Sequence, residues 1–217
     1  DFYKNYSIKI VLLRQKEKML WQARNKAIKT SNSDYVLLFD DDSRVNPNWI
    51  INHLKCLDFF NVDVSAGASK STVGAPIPIH YDYFRWGDQF DTGNAMLKKE
   101  IFKRCGLFDR QFEKMRMGDG EYGARIFLKG YKIVNNPKAY RIHLKSPTGG
   151  LRLHGSWDGM RPTSIFSPRP IPSVLYLIKK YWGKKAAINN LLITIPFSLS
   201  PYHMKGKKSG YILSLIF

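Results

Sequence analysis

The segment Tyr35-Val36-Leu37-Leu38-Phe39 runs directly into Asp40-Asp41-Asp42. An unbroken apolar run of this length reads as a buried strand of a parallel sheet. Carboxylates at its carboxyl end stand where open α/β sheets bind ligands. Adjacent carboxylates repel one another and are costly to desolvate, so a packed strand end holds them best with a cation between them. Hard oxygen ligands favour Mg2+ or Mn2+, ions that keep water and bridge to substrate phosphates. A solvated acidic turn capping the next helix is the plainer alternative. A second acidic centre is Asp119, in the glycine-flanked turn Gly118-Asp119-Gly120-Glu121 at a helix start, where a side chain projects into a cleft or simply caps the helix. A third element is His143, ending the last strand in Arg141-Ile142-His143-Leu144; a lone histidine there is more often structural than a ligand.

These residues need a framework. Strands are expected at Ser7 to Leu13, Tyr35 to Phe39, Val62 to Ala66, Asn94 to Leu97, Tyr131 to Val134 and Ala139 to His143. Helices are expected at Trp21 to Lys29, after the Asn46-Pro47 start signal, at Lys99 to Cys105 up to Gly106, and at Glu121 to Lys129 up to Gly130. Alternating strands and helices imply an α/β fold with a mainly parallel sheet. Residues 67–90, with turn formers and the aromatics Tyr81, Tyr83, Phe84 and Trp86, read as a long functional loop over the sheet.

The formal charge is +18, from 35 Lys+Arg against 17 Asp+Glu, which implies an anionic partner: nucleic acid, an anionic membrane surface or phosphorylated small molecules. No acidic residue follows Asp158, while Arg161, Arg169, Lys179, Lys180, Lys184, Lys185, Lys205, Lys207 and Lys208 do. After the Pro-rich stretch Ser167 to Pro172, the apolar runs Val174 to Ile178 and Leu191 to Ile195 alternate with lysine pairs. That pattern suits either an interfacial membrane segment or a basic helical subdomain packed on the core. Cys56 and Cys105 lack metal-ligand spacing and read as buried free thiols of a reducing compartment.

The ordered set Ala23-Arg24-Asn25, Phe39-Asp40-Asp41-Asp42, Trp49-Ile50, Thr92-Gly93-Asn94, Gly106-Leu107-Phe108-Asp109, Asp119 six residues before Arg125, Gly130-Tyr131 and His143 resembles the family-two glycosyltransferases of the GT-A fold over roughly residues 8–145. The resemblance implies a GT-A-like catalytic domain over residues 1–150 and a basic, amphipathic region over 151–217. It maps the DxD motif onto Asp40 and Asp42, which with His143 would hold Mn2+ or Mg2+ on a nucleotide-sugar diphosphate, and it gives Asp119 the place of the catalytic base. Arg24, Asn25, Asp41, Thr92, Gly93 and Asn94 would then contact the donor, and Asp91 would line the sugar or acceptor side. An inverting transfer needs one carboxylate to take the acceptor's proton and a metal to neutralise the departing diphosphate.

Relatives carry Glu-Asp where this chain has Gly118-Asp119. The QxxRW motif of processive members is missing, so single-sugar transfer is expected. The match also begins at the strand that precedes Ala23-Arg24-Asn25, so an upstream strand–helix–strand unit is expected to be missing. The implied protein takes a nucleotide-sugar donor and a glycan or lipid-linked acceptor for cell-surface polysaccharide. It does not bind nucleic acid, and it works in the cytoplasm at the inner face of an anionic membrane. The alternatives are a metal-dependent nuclease or phosphoryl transferase, with the charge holding nucleic acid, and a non-catalytic remnant.

Overall fold

The computed structural model describes residues 8–71, 77–144 and 172–199, with side chains in the last segment for 173–193. Six strands form one sheet: β1 (Tyr35–Phe39), β2 (Ser43–Val45), β3 (Val64–Ser71), β4 (Arg85–Gly87), β5 (Asn94–Lys98) and β6 (Ile133–His143). Their order is β1-β5-β3-β6-β2, with β4 also paired to β6. The helices are α1 (Leu20–Thr30), α2 (Trp49–Phe59), α3 (Glu100–Cys105), α4 (Gly118–Leu128) and α5 (Pro172–Leu199).

Side chains alternate across the pleat and build two apolar layers. Leu38, Leu97 and Ile133 join Trp21, Ile101, Phe102, Phe108, Phe112, Tyr122 and Ile126 on the α1/α3/α4 side. Their neighbours Leu37, Met96 and Val134 meet Cys56, Leu57 and Phe60 of the α2 side. The expected α/β layering is present, with Cys56 and Cys105 free and buried.

The pairing departs from a mainly parallel sheet. β3 and β6 pair in parallel, while β1/β5, β3/β5, β2/β6 and β4/β6 are antiparallel. β1, β3 and β6 do run the same way, but β5 is inserted against the grain between β1 and β3. A continuous apolar run reports that both faces of a strand are covered; it does not report the direction of its neighbour. Two further expectations change. Residues 8–13 form no strand, and Ile8, Ile10, Val11 and Leu12 are exposed, because an apolar run needs a neighbour's N–H and C=O groups to become one. The two strands expected at 131–143 are a single β6 with a bulge: Gly67 faces Asn136 but Ser69 faces Arg141. Pro137 has no N–H to offer a ladder, and the Asn136 Oδ1 accepts the N–H groups of Lys138 and Ala139 there.

The start of β5 is pinned from beneath by Asn94, which is fully buried. Its Oδ1 accepts from Trp49 Nε1 (2.9 Å) and His53 Nε2 (3.2 Å), and its Nδ2 donates to the carbonyls of Ala68 (3.1 Å) and Ala139 (2.9 Å). His53 Nδ1 takes the Ser65 hydroxyl at 2.9 Å, an arrangement that assigns the neutral ring with its proton on Nε2.

The first half of α5 packs on the core. Leu177 is buried, and the Tyr176 ring lies 5.2 Å from that of Phe112. Lys180 Nζ bridges Asp109 and the wholly buried Glu121, both at 2.8 Å, and the Tyr181 hydroxyl donates to Glu121 at 2.7 Å. Gly183 (φ 84°) breaks the helix. Beyond it Ile188, Leu192 and Ile193 are exposed, as is Trp182 just before. Among the described residues no helix is long and apolar enough to cross a membrane. Residues 145–171, with the boundary expected at 150 and the Pro-rich stretch, lie outside the described residues, as do 200–217.

Burial lowers the His53 imidazole to about 4. The unfolded chain gains a proton as pH falls below 6.5, whereas the folded chain gains one only near 4. Stability therefore drops across that window, by up to about 3 kcal/mol. Urea unfolding of wild type should show this decline between pH 6.5 and 4.5, and His53→Gln should flatten it. Equal slopes in the two proteins would refute a neutral buried His53.

Candidate functional site

At the carboxyl edge of the sheet the acidic triplet divides. Asp40 turns inward: its Oδ1 accepts from Arg24 Nη2 at 2.7 Å and its Oδ2 from Arg141 Nη1 at 2.9 Å. Asp41 is exposed and has no partner among the described residues. Asp42 meets His143, with Nε2 and Oδ2 3.0 Å apart. The β2/β6 ladder sets that meeting, since Ser43 pairs with His143 and the Leu144 N–H donates to the Asp42 carbonyl at 2.9 Å.

Arg141, only 2% exposed, is the hub. Besides Asp40 it donates to Ser43 Oγ (2.9 Å), Ser69 Oγ (2.8 Å) and Asp91 Oδ2 (2.7 Å). Asp91 also takes the Ser69 hydroxyl at 2.6 Å and the Gly93 N–H at 2.8 Å. Burial alone would raise the Asp91 carboxyl, but Arg141 and these hydrogen bonds outweigh it and hold it below the ordinary range. Arg24, carried by α1, reaches Thr92 Oγ1 as well as Asp40, and its guanidinium stands 5.4 Å from the Trp21 ring centroid. Gly93 lies beneath these groups: a Cβ there would sit 2.1 Å from Asp40 Oδ2 and 2.4 Å from Arg141 Nη1.

Asp119 opens α4, whose start is fixed by packing. A Cβ at Gly118 would lie 2.3 Å from the Trp21 ring, so the glutamate that relatives carry before the base has no room here. Among the described residues Asp119 accepts one hydrogen bond, from Gly120 N–H at 2.9 Å, and has no ion pair. Burial pushes its carboxyl up; the Gly120 N–H and Arg24 pull against this, Asp91 adds to it, and the net shift is upward. Asp91 and Asp119 line a cleft of about 370 Å³, together with His80, Tyr81, Tyr83, Arg85 and Gln89.

The structure thus brings together Arg24, Asp40, Thr92, Gly93 and Asp91, sets Asp119 beside them, and joins Asp42 to His143. Two expected ligand contacts belong to the framework instead. Asn94 has no exposed edge and all four of its amide hydrogen bonds are internal. Asn25 commits both ends of its amide to the Phe108 backbone, each at 2.9 Å. Arg141 is the residue that the motif reading missed. Its signal was its phase: two residues before His143 in a strand, it shares that residue's face.

Among the described residues no three His, Cys, Asp or Glu side chains gather as a metal site. The Asp42–His143 pair nevertheless fits a divalent ion. It offers one carboxylate oxygen and one imidazole nitrogen at the spacing of neighbouring ligands, both partly exposed. Mg2+ and Mn2+ are bound in this way, by few protein groups together with phosphate oxygens and water.

Because Arg141 is buried between two carboxylates, removing it leaves Asp91 without its cation and Asp40 with Arg24 alone. Arg141→Met should cost about 3–5 kcal/mol, read as a lower urea midpoint. Arg141→Lys should recover only part of this, since an ammonium cannot reproduce the fork. Gly93→Ala should be comparably damaging despite its single added methyl. A Gly93→Ala protein as stable as wild type would show that the Asp40–Arg141 contact does not constrain this loop.

The sequence profile described as Glycosyl transferase family 2 matches residues 1–111, just over half of the chain. No curated protein sequence matches it. Among solved structures, S. aureus TarS 1–349 in complex with UDP-GlcNAc is 17% identical over 99% of this chain and 65% of that one, with a TM-score of 0.55. A second structure of that TarS fragment (14% identity, 87% and 52% coverage, TM-score 0.48) and GalNAc-T7 with UDP, GalNAc and Mn2+ (13%, 82% and 44%, 0.49) are more distant. This chain thus spans about half to two thirds of the TarS fragment, and it shares the fold of the UDP-GlcNAc-bound form. The profile match and the ordered motifs set the nuclease alternative aside, and the chain belongs to glycosyl transferase family 2.

Proposed function

We propose that the protein transfers a single sugar, with inversion, from a nucleoside-diphosphate sugar to a hydroxyl of a glycan or lipid-linked acceptor in surface polysaccharide synthesis. The observation that carries this reading is Asp119: a carboxylate with a raised pKa and no ion pair, lining the same cleft as Asp91 of the paired acidic network. Its Oδ1 is engaged by Gly120, so Oδ2 is the atom that takes the acceptor hydroxyl's proton. The freed oxygen attacks the anomeric carbon as the bond to the diphosphate oxygen breaks, and the nucleoside diphosphate leaves with that electron pair. A raised pKa makes Asp119 a stronger base than an ordinary aspartate.

Asp42 and His143 would hold a divalent cation. When bound, that ion neutralises the leaving diphosphate. The two ligands act as a pair, because His143 Nε2 must present its lone pair and Asp42 fixes where that nitrogen points. Arg24 is already engaged by Asp40 and Thr92, so its part is to hold the loop Asp91 to Gly93 against the strand end. A UDP-GlcNAc-bound neighbour of the same fold makes uridine the first donor base to try.

The second half of α5 supports an anionic membrane as the working surface. Trp182, Ile188, Leu192 and Ile193 are exposed beside the exposed Lys184 and Lys185, an arrangement suited to the headgroup boundary.

Release of nucleoside diphosphate from a panel of nucleotide sugars with Mn2+ tests the reaction. Asp119→Asn should lower turnover roughly 10²–10⁴-fold with Mn2+-dependent nucleoside-diphosphate binding retained. Wild-type kcat/KM should fall as pH drops through the Asp119 pKa, with an acid limb above that of an ordinary aspartate. Near-normal turnover in the variant would leave Asp119 as no more than a helix cap. Flotation on phosphatidylserine vesicles tests the surface. Leu192→Ser with Ile193→Ser should weaken attachment, and salt should weaken what remains; equal flotation of the double variant would refute the α5 contact.

A further inference from the structure

We infer that the Asp119 cleft takes an anionic saccharide as its acceptor, with Arg85 reading the negative charge. This rests on the transferase reading above and names its acceptor class. The cleft, at about 370 Å³, lies at the lower end of the range of small-molecule sites. Asp42 and His143 do not line it, although Asp91 and Asp119 do.

Part of the remaining lining is aromatic and cationic. His80 and Tyr81 stand edge to face with ring centroids 4.9 Å apart, and Tyr83 is 53% exposed beside them. Aromatic rings with a polar end cover the C–H face of a sugar while hydrogen-bonding its hydroxyls. The polar ends of Tyr81, Tyr83, Arg85 and Gln89 make no hydrogen bond among the described residues, so each remains available to a ligand.

Arg85 lines the cleft without a carboxylate partner among the described residues. Arg24, Arg104, Arg125 and Arg141, by contrast, are each paired with a carboxylate. Arg85 sits on β4, held in register against Asn135 of β6, and Arg116 lines the same cleft. Of the two carboxylates in the lining, Asp91 is already neutralised by Arg141 at 2.7 Å. The cleft's lining therefore holds a cation without a carboxylate partner and a carboxylate without an ion pair. A guanidinium fork matches carboxylate and phosphate oxygens in shape as well as charge.

The separation is set by packing. Gln89 lies against the first two turns of α4: a Cβ on Gly120 would meet its Oε1 at 3.2 Å, and one on Gly123 its Cα at 2.7 Å. Arg85 comes four residues earlier, hence at most about 14 Å away along the chain. A hydroxyl at Asp119 and an anionic group at Arg85 thus belong to one short saccharide.

Saturation-transfer NMR with three probes tests this: a glucuronic-acid disaccharide, its carboxyl-reduced neutral form and a glycosyl phosphate. At least one anionic probe should bind wild type about tenfold more tightly than the neutral one at low salt, a difference of about 1.4 kcal/mol. Preference for the uronic acid identifies a carboxylate ligand; preference for the glycosyl phosphate identifies a phosphate. Arg85→Gln should abolish the preference without weakening the neutral probe. Equal binding of neutral and anionic probes, no binding by any of them, or an unchanged preference in Arg85→Gln would each overturn the inference. Mn2+-dependent nucleoside-diphosphate binding, measured in parallel, reports on the transferase reading separately, so each idea can fail without the other.

Discussion

A guanidinium buried between two carboxylates organises this edge of the sheet. Arg141 is nearly inaccessible and carries a charge that water cannot reach, a state sustained only by compensating anions and hydrogen bonds. The compensation comes from four places in the chain: Asp40 at the end of β1, Ser43 in β2, Ser69 in β3 and Asp91 before β5. Each is held where the others need it. The repulsion expected among three consecutive aspartates is thereby resolved without placing them around one ion. Asp40 is neutralised by arginines, Asp41 faces solvent, and Asp42 is left to His143. One acidic triplet supplies a structural counter-ion and a candidate metal ligand because successive residues leaving a strand point in different directions.

Glycines mark where this network leaves no spare volume. Gly93 lies under the Asp40–Arg141 pair and Gly118 under the indole of Trp21. The second contact gives a physical reason for the departure from the Glu-Asp pattern: α1 presses Trp21 onto the turn before Asp119, with its Nε1 bonded to the Phe112 carbonyl at 2.9 Å. Glu113 in turn accepts the N–H groups of Trp21 and Gln22, capping α1 from ninety residues away in sequence. The candidate base is thus positioned by the same helix that delivers Arg24 to Asp40.

Much of this was legible in the sequence. Apolar periodicity located α1, β1, α2, β5, α3 and α4, and the order of motifs led to Asp42, Asp119 and His143. What failed did so for identifiable reasons. Residues 8–13 have strand composition but no neighbour. Asn25 and Asn94 look like ligand-facing amides because an amide's residue type does not say whether its hydrogen bonds close internally; here they do. Arg141 was passed over because a lone arginine in a strand reads as surface. Its burial depends on Asp40, Ser69 and Asp91, which come from far away in sequence, so the phase it shares with His143 gave its face but not its burial. The tail divided: its first apolar run joined the core through Leu177, while side chains beyond Gly183 stayed exposed.

That division ties the tail to the chemistry. Glu121 lies two residues after Asp119 on α4, wholly buried, with Arg125, Lys180 and Tyr181 around its carboxylate. Arg125 also donates to the carbonyls of Cys105 and Leu107, so one ion cluster binds α4, the end of α3 and α5 together. A buried carboxylate stripped of such partners is strongly destabilising, which makes the docking of α5 a condition for an ordered α4. The candidate base at the start of that helix makes only one N–H bond of its own, because the helix is held by Glu121 two residues further on. Asp119 therefore stays without an ion pair at the cleft, with its carboxyl raised by burial, whereas an ion pair would fix its position but lower its basicity.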